Sequence, residues 1–352
     1  MRQARTQPVR VAMIGAPAHP AFFDAMAGVP GCALVRIAAG APMDEALDTI
    51  AGCDAYYLSS ARNELPADLH VAAPLLDRAP RLRLAVSYGA GFDTIDLAEC
   101  TRRGVAVCNQ AGGNAGAVAE HALAFILSLL KRIPEARAAI ARGEAADRDR
   151  LIGRELSGRT VGIVGLGHTG AALAALLGAF RCRVLACDPF LDADACRARG
   201  AEKVALPDLL ARSEVVSLHC PLDASTRGLI SAEALSRMRP DACLVSTARG
   251  GVHDEAAVLA ALDAGRLAGA AFDVWEREPP APDHPLLGHP SVLATSHLAG
   301  VTHESRTRVA RMAAEIFEAF AAGRPLPRLL NPEHAPSSSP SPIGPAASPA
   351  RP

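Results

Sequence analysis

The sequence predicts an α/β fold built from two doubly wound domains. Three observations carry this. Short apolar runs alternate with Ala- and Leu-rich helical segments, the alternation starts afresh after residue 150, and 352 residues, half of them hydrophobic, are enough for two cores.

In the first series the strand-like runs are 9–14, 33–37, 55–58, 82–87 and 105–108, with helical segments such as 43–51 and 69–76 between them. The helix expected over 116–132 carries Val118, Ala122, Phe125 and Leu129 on one face and Leu123, Ile126 and Leu130 on others. A helix apolar on several faces is buried on more than one side, here between the domains or against a second subunit. Its longest apolar stretch, 117–130, contains Glu120 and His121 and is shorter than the ~20 residues that cross a bilayer. After residue 150 the strand candidates are 160–165, 184–188, 215–220, 243–247, 270–274 and 292–296, with helices such as 171–180 and 254–264 between them. An amphipathic helix follows over 302–322, with Val309, Met312, Ile316 and Phe320 on one face and Gly323 and Pro325 as its stop. Beyond Asn331 the chain is largely Pro, Ser and Ala, the composition of a disordered tail.

The 36 Lys and Arg residues nearly cancel the 37 Asp and Glu, so no overall field draws the chain to nucleic acid or anionic lipid. Nine cysteines occur without a Cys-x-x-Cys pair, which points to small buried thiols rather than a disulfide framework or a metal site. Residues 1–10 are basic and run into a strand without an apolar signal core, so a cytoplasmic location is expected.

Gly165-Leu166-Gly167-His168-Thr169-Gly170 follows a strand and opens a helix. There, Gly-x-Gly-x-x-Gly permits a tight turn and close approach to a pyrophosphate whose charge the helix N-terminus meets. Asp188 ends the next strand at close to the ~20-residue spacing at which a carboxylate reads the ribose hydroxyls. A 2′-phosphate would be repelled there, so NAD is expected over NADP. Without that context the hexapeptide is only a Gly-rich turn.

Arg249, Glu278 and His297 then fall at the carboxyl ends of three later strands, the rim that also carries the glycine loop in such a sheet. Singly, each has a plainer role as strand cap, solvated charge or structural His; together they suit one reaction. A 2-keto acid bears a carboxylate and a carbonyl that becomes an alkoxide as hydride arrives, so a guanidinium can hold the acid and polarise the carbonyl. His297 can deliver the proton in reduction and remove it in oxidation, with Glu278 favouring its charged form and fixing its orientation.

On these residues the sequence resembles the D-isomer-specific 2-hydroxyacid dehydrogenases, from about residue 9 to 332. The likeness extends to Ser87-Tyr88-Gly89-Ala90-Gly91-Phe92-Asp93-Thr94-Ile95-Asp96, to 114–121 ending in Val118-Ala119-Glu120-His121, and to His219-Cys220-Pro221-Leu222. It also covers Thr247-Ala248-Arg249-Gly250, 273–279 and Ser296-His297-Leu298-Ala299-Gly300. The resemblance implies a flavodoxin-like substrate domain of 1–112 and 305–332, an inserted Rossmann NAD-binding domain of 113–304, a tail of 333–352, and a homodimer built around the cofactor domain. It implies that Arg249 binds substrate, that Glu278 partners the acid/base His297, and that the amides of Ala90 and Gly91 help hold the substrate carboxylate. Around NAD it implies Gly165, Gly167, His168, Thr169, Gly170, Asp188, Cys220, Pro221, Thr247, Ala248, His297 and Gly300, with Asp273 facing the nicotinamide amide.

Three positions depart from the family pattern: Ser246 stands where Asn is common, Ser296 where Pro precedes the histidine, and Ala111 where a Pro is usual. Glu278 in place of Gln argues against formate oxidation, and Ala90 in place of Lys against phosphite oxidation. Ser59 occupies the position of the phosphate-binding Arg of phosphoglycerate dehydrogenases, with Arg62 nearby. The expected substrate is therefore a small unphosphorylated 2-keto acid such as glyoxylate or hydroxypyruvate. The alternatives are 3-phosphoglycerate dehydrogenation and an NADH-sensing, corepressor-like binding protein; against the latter, Leu298-Ala299-Gly300 lacks the Trp that such proteins carry.

Overall fold

The computed structural model describes residues 7–17, 19–144 and 148–334. The expected disordered tail therefore lies, from residue 335 on, outside the described residues. The chain divides into two units, one of residues 1–110 with 309–352 and the other of Ala111–Arg308.

In the first unit, strands β1 (Val9–Ile14), β2 (Cys32–Ile37), β3 (Ala55–Ser59), β4 (Leu84–Tyr88) and β5 (Ala106–Cys108) form a parallel sheet of order β2-β1-β3-β4-β5. Helices α1 (Ala21–Ala27), α2 (Met43–Ala51), α3 (Ala73–Arg78) and α4 (Leu97–Arg102) connect them. Both sheet faces are covered, which is why the strands read as nearly continuous apolar runs, broken by Arg10 and Arg36 in β1 and β2, rather than as alternating ones. Tyr56 packs on one side with Ile50 and Leu75, while its neighbour Tyr57 packs on the other with Phe22 and Phe317. The Phe22 and Tyr57 rings stack with centroids 4.5 Å apart.

In the second unit, β6 (Thr160–Val164), β7 (Arg183–Cys187), β8 (Glu202–Lys203), β9 (Val215–Leu218), β10 (Cys243–Ser246), β11 (Gly269–Phe272) and β12 (Val292–Ala294) are parallel in the order β12-β11-β10-β9-β6-β7-β8. The order reverses between β9 and β6, the crevice where doubly wound sheets bind ligands. The helices are α5 (Ala115–Leu130), α6 (Ile133–Ala141), α7 (His168–Ala179), α8 (Ala193–Ala198), α9 (Leu206–Arg212), α10 (Ala232–Arg237), α11 (Glu255–Asp263) and α12 (Pro285–Gly288). In α5, Ala119, Ala122, Phe125, Ile126 and Leu130 share one core with Leu173 and Leu177 of α7.

Helix α13 (His303–Ala321) runs across the division at residue 309 and gives Ala313, Ile316 and Phe317 to the first unit's core. It ends at Gly323, whose φ of 65° is a left-handed stop. The chain then returns to β5: Leu329 bridges Cys108, and the buried Asn331 side chain accepts from Val107 N at 2.8 Å and donates to Val105 O at 2.9 Å. Among the described residues, no helix is long and apolar enough to cross a membrane.

Candidate active site

The second unit's switch point carries the glycine loop. Gly165 has φ of 89°, and a Cβ there would lie 2.8 Å from Cys220 N, so the turn after β6 requires glycine both for its conformation and for its approach to the chain after β9. Beside Gly167, by contrast, a Cβ would meet nothing within 4 Å. The loop therefore leaves open space in front of the first amides of α7, which no side chain caps. This is the room and the donor set that a pyrophosphate needs, so the residues suit the nicotinamide dinucleotide. His168, Thr169 and Gly170 form the first turn of α7.

Asp188 directly follows β7. Its carboxylate accepts from Leu166 N at 2.9 Å and from Phe190 N at 3.0 Å, tying the acid to the glycine loop itself. Each carboxylate oxygen keeps capacity for a further donor, such as a ribose hydroxyl. Cys220 and Pro221 lie beyond β9, and Thr247 and Ala248 beyond β10. Thr247 Oγ1 lies 3.4 Å from His219 Nδ1, while His219 Nε2 is 2.9 Å from Ser217 Oγ.

Arg249, Glu278 and His297 follow β10, β11 and β12 along one end of the sheet. Glycine is needed after the arginine because a Cβ on Gly250 would come within 1.9 Å of Trp275 O; the two loops touch backbone to backbone. Arg249 Nη1 donates to Ala248 O at 2.8 Å. His297 Nδ1 donates to Glu278 Oε2 at 2.7 Å, and Glu278 Oε1 accepts from Trp275 N at 3.1 Å. The Glu278 bond raises the pKa of His297 above its usual value, against burial and the Arg249 charge. Burial opposes ionisation of Glu278, but the bond to His297 and its charge outweigh it, so the carboxyl sits below its usual range. Arg249 adds to that lowering, which places all three groups within one another's fields.

The histidine loop is fastened by Asp273, which is 1% exposed. Its carbonyl accepts from His297 N at 2.7 Å, and its carboxylate accepts from Leu298 N at 2.7 Å and Ala299 N at 2.9 Å. Three consecutive amides thus converge on one residue, although Ser296 supplies none of the stiffness of proline. His297 adopts φ of 57°, a left-handed conformation that this bonding sustains. Thr295 Oγ1 donates to Asp273 Oδ1 at 2.6 Å and, its proton being used there, accepts from His121 Nε2 at 3.2 Å. Neither Thr295 nor His121 is expected in the site from sequence, where His121 stands out only as a polar break in the apolar stretch 117–130 and as the end of Val118-Ala119-Glu120-His121. A second of the three departures is less well supported: Ser246 is fully buried and its hydroxyl has no partner among the described residues. Gly300 lies against Asn114, where a Cβ would come within 2.8 Å of Asn114 Nδ2.

Ala90 and Gly91 belong to the first unit, on the turn after β4. Asn109 Nδ2 donates to Ala90 O at 2.7 Å, the Ser87 hydroxyl donates to Gly91 O, and Gly89 N donates to Gln110 Oε1 at 2.7 Å. The first two bonds occupy the carbonyls of Ala90 and Gly91, and the third the amide of Gly89.

Residues 123–299 match the family described as D-isomer specific 2-hydroxyacid dehydrogenase, NAD binding domain. The D-3-phosphoglycerate dehydrogenase of Archaeoglobus fulgidus is 38% identical over 261 residues, covering 74% of this chain and 49% of that protein, so the chain spans about half that relative's length. The glyoxylate reductase of Korarchaeum cryptofilum is 40% identical over 266 residues, covering 75% of this chain and 80% of that protein. The crystal structure of D-lactate dehydrogenase from Aquifex aeolicus, complexed with NAD and lactic acid, superposes with a TM-score of 0.76 at 27% identity, covering 89% of this chain and 96% of that one. Glycine loop, strand-end triad and these likenesses agree, and the chain belongs to the D-isomer-specific 2-hydroxyacid dehydrogenases, with their nicotinamide dinucleotide as cofactor.

Proposed function

We propose that this protein is an oxidoreductase that interconverts a small 2-keto acid and its D-2-hydroxy acid with NAD(H). The observation that carries the reading is the 2.7 Å bond between His297 and Glu278, with Arg249 acting on both. Bound NADH supplies the hydride that C2 accepts. Arg249 then holds the carboxylate and draws charge onto the carbonyl oxygen, and His297, kept protonated by Glu278, gives that oxygen its proton. In oxidation neutral His297 takes the proton back. In the first unit, the amides of Ala90 and Gly91 bind the substrate carboxylate on a turn whose carbonyls are already engaged.

Gly165, Gly167, His168, Thr169 and Gly170 cradle the pyrophosphate in this proposal. Asp188 takes the ribose hydroxyls, which favours NAD over NADP. Two further parts rest on single features. All nine cysteines are free thiols, which supports a reducing, cytoplasmic setting. Ile133, Ile140 and Ile152 of the second unit are 55, 69 and 70% exposed, an apolar trio that supports a homodimer through this unit. Sedimentation of wild type beside Ile140→Glu tests the dimer.

The central test follows NADH absorbance against a panel of 2-keto acids. Turnover on at least one, abolished in Arg249→Ala while NADH still binds, is the expected result. A wild type that binds NADH and reduces none of them would be a sensor, and the reading would fall.

A further inference from the structure

The edge of the second unit beyond β7 carries charge that no step above uses. Most of its arginines are neutralised where they stand: Arg183 and Arg212 pair with Glu202 at 2.8 and 3.0 Å, and Arg197 pairs with Asp194 at 2.5 Å. Arg199, which caps the end of α8 and is exposed, pairs with no carboxylate among the described residues. Its Nη1 instead donates to Leu166 O at 2.6 Å, reaching back 33 positions to the glycine loop. Lys203 Nζ likewise donates to a carbonyl, that of Leu191.

Leu166 thus stands between opposite charges. Asp188 Oδ2 accepts from its N–H at 2.9 Å, and Arg199 donates to its carbonyl. The acid and the guanidinium meet the same loop residue without bonding each other, since the Asp188 oxygens hold the amides of Leu166 and Phe190. Burial raises the pKa of the Cys196 thiol, and Lys203, Asp188, Arg199 and Asp192 all act on it, so two cations and two acids surround one point beyond β7. Phe190, two residues after Asp188, is 89% exposed, an aromatic surface that an adenine could cover.

A lone carboxylate repels a phosphate on the ribose 2′ oxygen. Here a guanidinium stands on the other side of the same loop residue, bonded only to a carbonyl, with further N–H donors in a planar fork that matches a phosphate. Every group involved belongs to the second unit. Resting on the reading that the glycine loop and Asp188 take the dinucleotide, we propose that Arg199, seconded by Lys203, is a 2′-phosphate site, so that the protein accepts NADPH as well as NADH. Asp188 keeps NADH ahead, and Arg199 sets how narrow that lead is.

Calorimetric titration of AMP and adenosine 2′,5′-bisphosphate isolates this end of the cofactor and needs no turnover. In wild type the added phosphate should cost less than roughly tenfold in affinity, because a charged hydrogen bond offsets the repulsion. Arg199→Gln should weaken the bisphosphate roughly tenfold more than AMP, and Arg199→Lys, which keeps the charge, should recover part of that difference. Added salt should cost wild type more of its bisphosphate affinity than it costs Arg199→Gln. The ratio of kcat/KM with NADPH to that with NADH should fall in the order wild type, Arg199→Lys, Arg199→Gln. The proposal is overturned if the added phosphate costs wild type more than roughly tenfold, or if Arg199→Gln weakens both ligands equally, which would leave Arg199 a brace for the Leu166 carbonyl. Those outcomes, with AMP and NADH still bound, remove this proposal alone. If AMP, the bisphosphate and NADH all fail to bind, the dinucleotide reading falls and the proposal falls with it.

Discussion

His297 is pulled upward by Glu278 and downward by burial and Arg249, and the upward pull prevails. Reduction needs the protonated ring, so its rate falls as pH rises through the His297 pKa. Glu278→Gln removes the raising partner, and the falling limb of the kcat/KM profile should move to lower pH; an unmoved limb would mean that Glu278 does not control the ring. His297→Ala should lower kcat by roughly 10²- to 10⁴-fold, the worth of a positioned acid/base, while NADH titration stays near wild type. For Arg249 the geometry of the group matters as much as its charge, because two parallel bonds to a carboxylate need a planar fork. Arg249→Lys should therefore lose kcat/KM nearly as severely as Arg249→Ala, which steady-state kinetics would decide. These three residues were legible because a doubly wound topology puts every strand's carboxyl end on one rim. Thr295 and His121 were not, since 174 positions separate two groups that meet only after α5 and β12 have packed.

The loop after β12 gains its order from Asp273 rather than from its own residues. Ser296 lacks the stiffness of the proline usual before the histidine; the amides of His297, Leu298 and Ala299, all bonded to one buried residue, explain why the loop is held. Thr295→Val removes one donor from that carboxylate and the acceptor for His121, so kcat should fall and the pH limb of His297 should shift, with Thr295→Ser restoring both. A fall in thermal stability with unchanged pH behaviour would reduce Thr295 to a packing role. Asp188 likewise serves two ends. In Asp188→Ala the preference for NADH over NADPH should narrow as repulsion of the 2′-phosphate is relieved, while KM rises for both because Leu166 N and Phe190 N lose their acceptor. A wild type favouring NADPH would overturn the cofactor assignment. Most strands were legible from apolar runs to within a residue or two. The edge strand β8 was not, because Glu202 and Lys203 are exposed and pair on one side only. Nor was α6, because the helix expected over 116–132 stops where Arg132 takes φ of 53°, and nothing after that stop marks a second helix beginning at Ile133.

Stability of the protein as a whole should depend on acidity through a group that takes no part in the chemistry. His253 is fully buried, lies flat on Phe272 with ring centroids 4.4 Å apart, and has no partner for either ring nitrogen among the described residues. Burial lowers its pKa from 6.5 to about 4. The unfolded chain therefore takes up a proton first as pH falls below 6.5, and stability declines until pH 4, by about 3 kcal/mol for a shift of this size. Denaturant midpoints between pH 7 and 4 should fall more steeply for wild type than for His253→Phe; parallel curves would contradict this. The resemblance implies domain limits at 112 and 305, beside a division into units at 110 and 309, whereas the closure of β5 by Asn331 lies in a segment whose composition reads as the start of a loose tail. That closure has a consequence for synthesis. Residues 1–110 leave the ribosome before the second unit, yet one face of their sheet carries only α1 until Ala313, Ile316 and Phe317 arrive to complete its cover. At roughly 5 to 20 residues per second the intervening stretch takes on the order of 10 to 40 s, during which the second unit can fold complete while the first remains exposed. The part of the chain made first is thus the last to become native, and in the cell it is the part that a chaperone has most reason to hold.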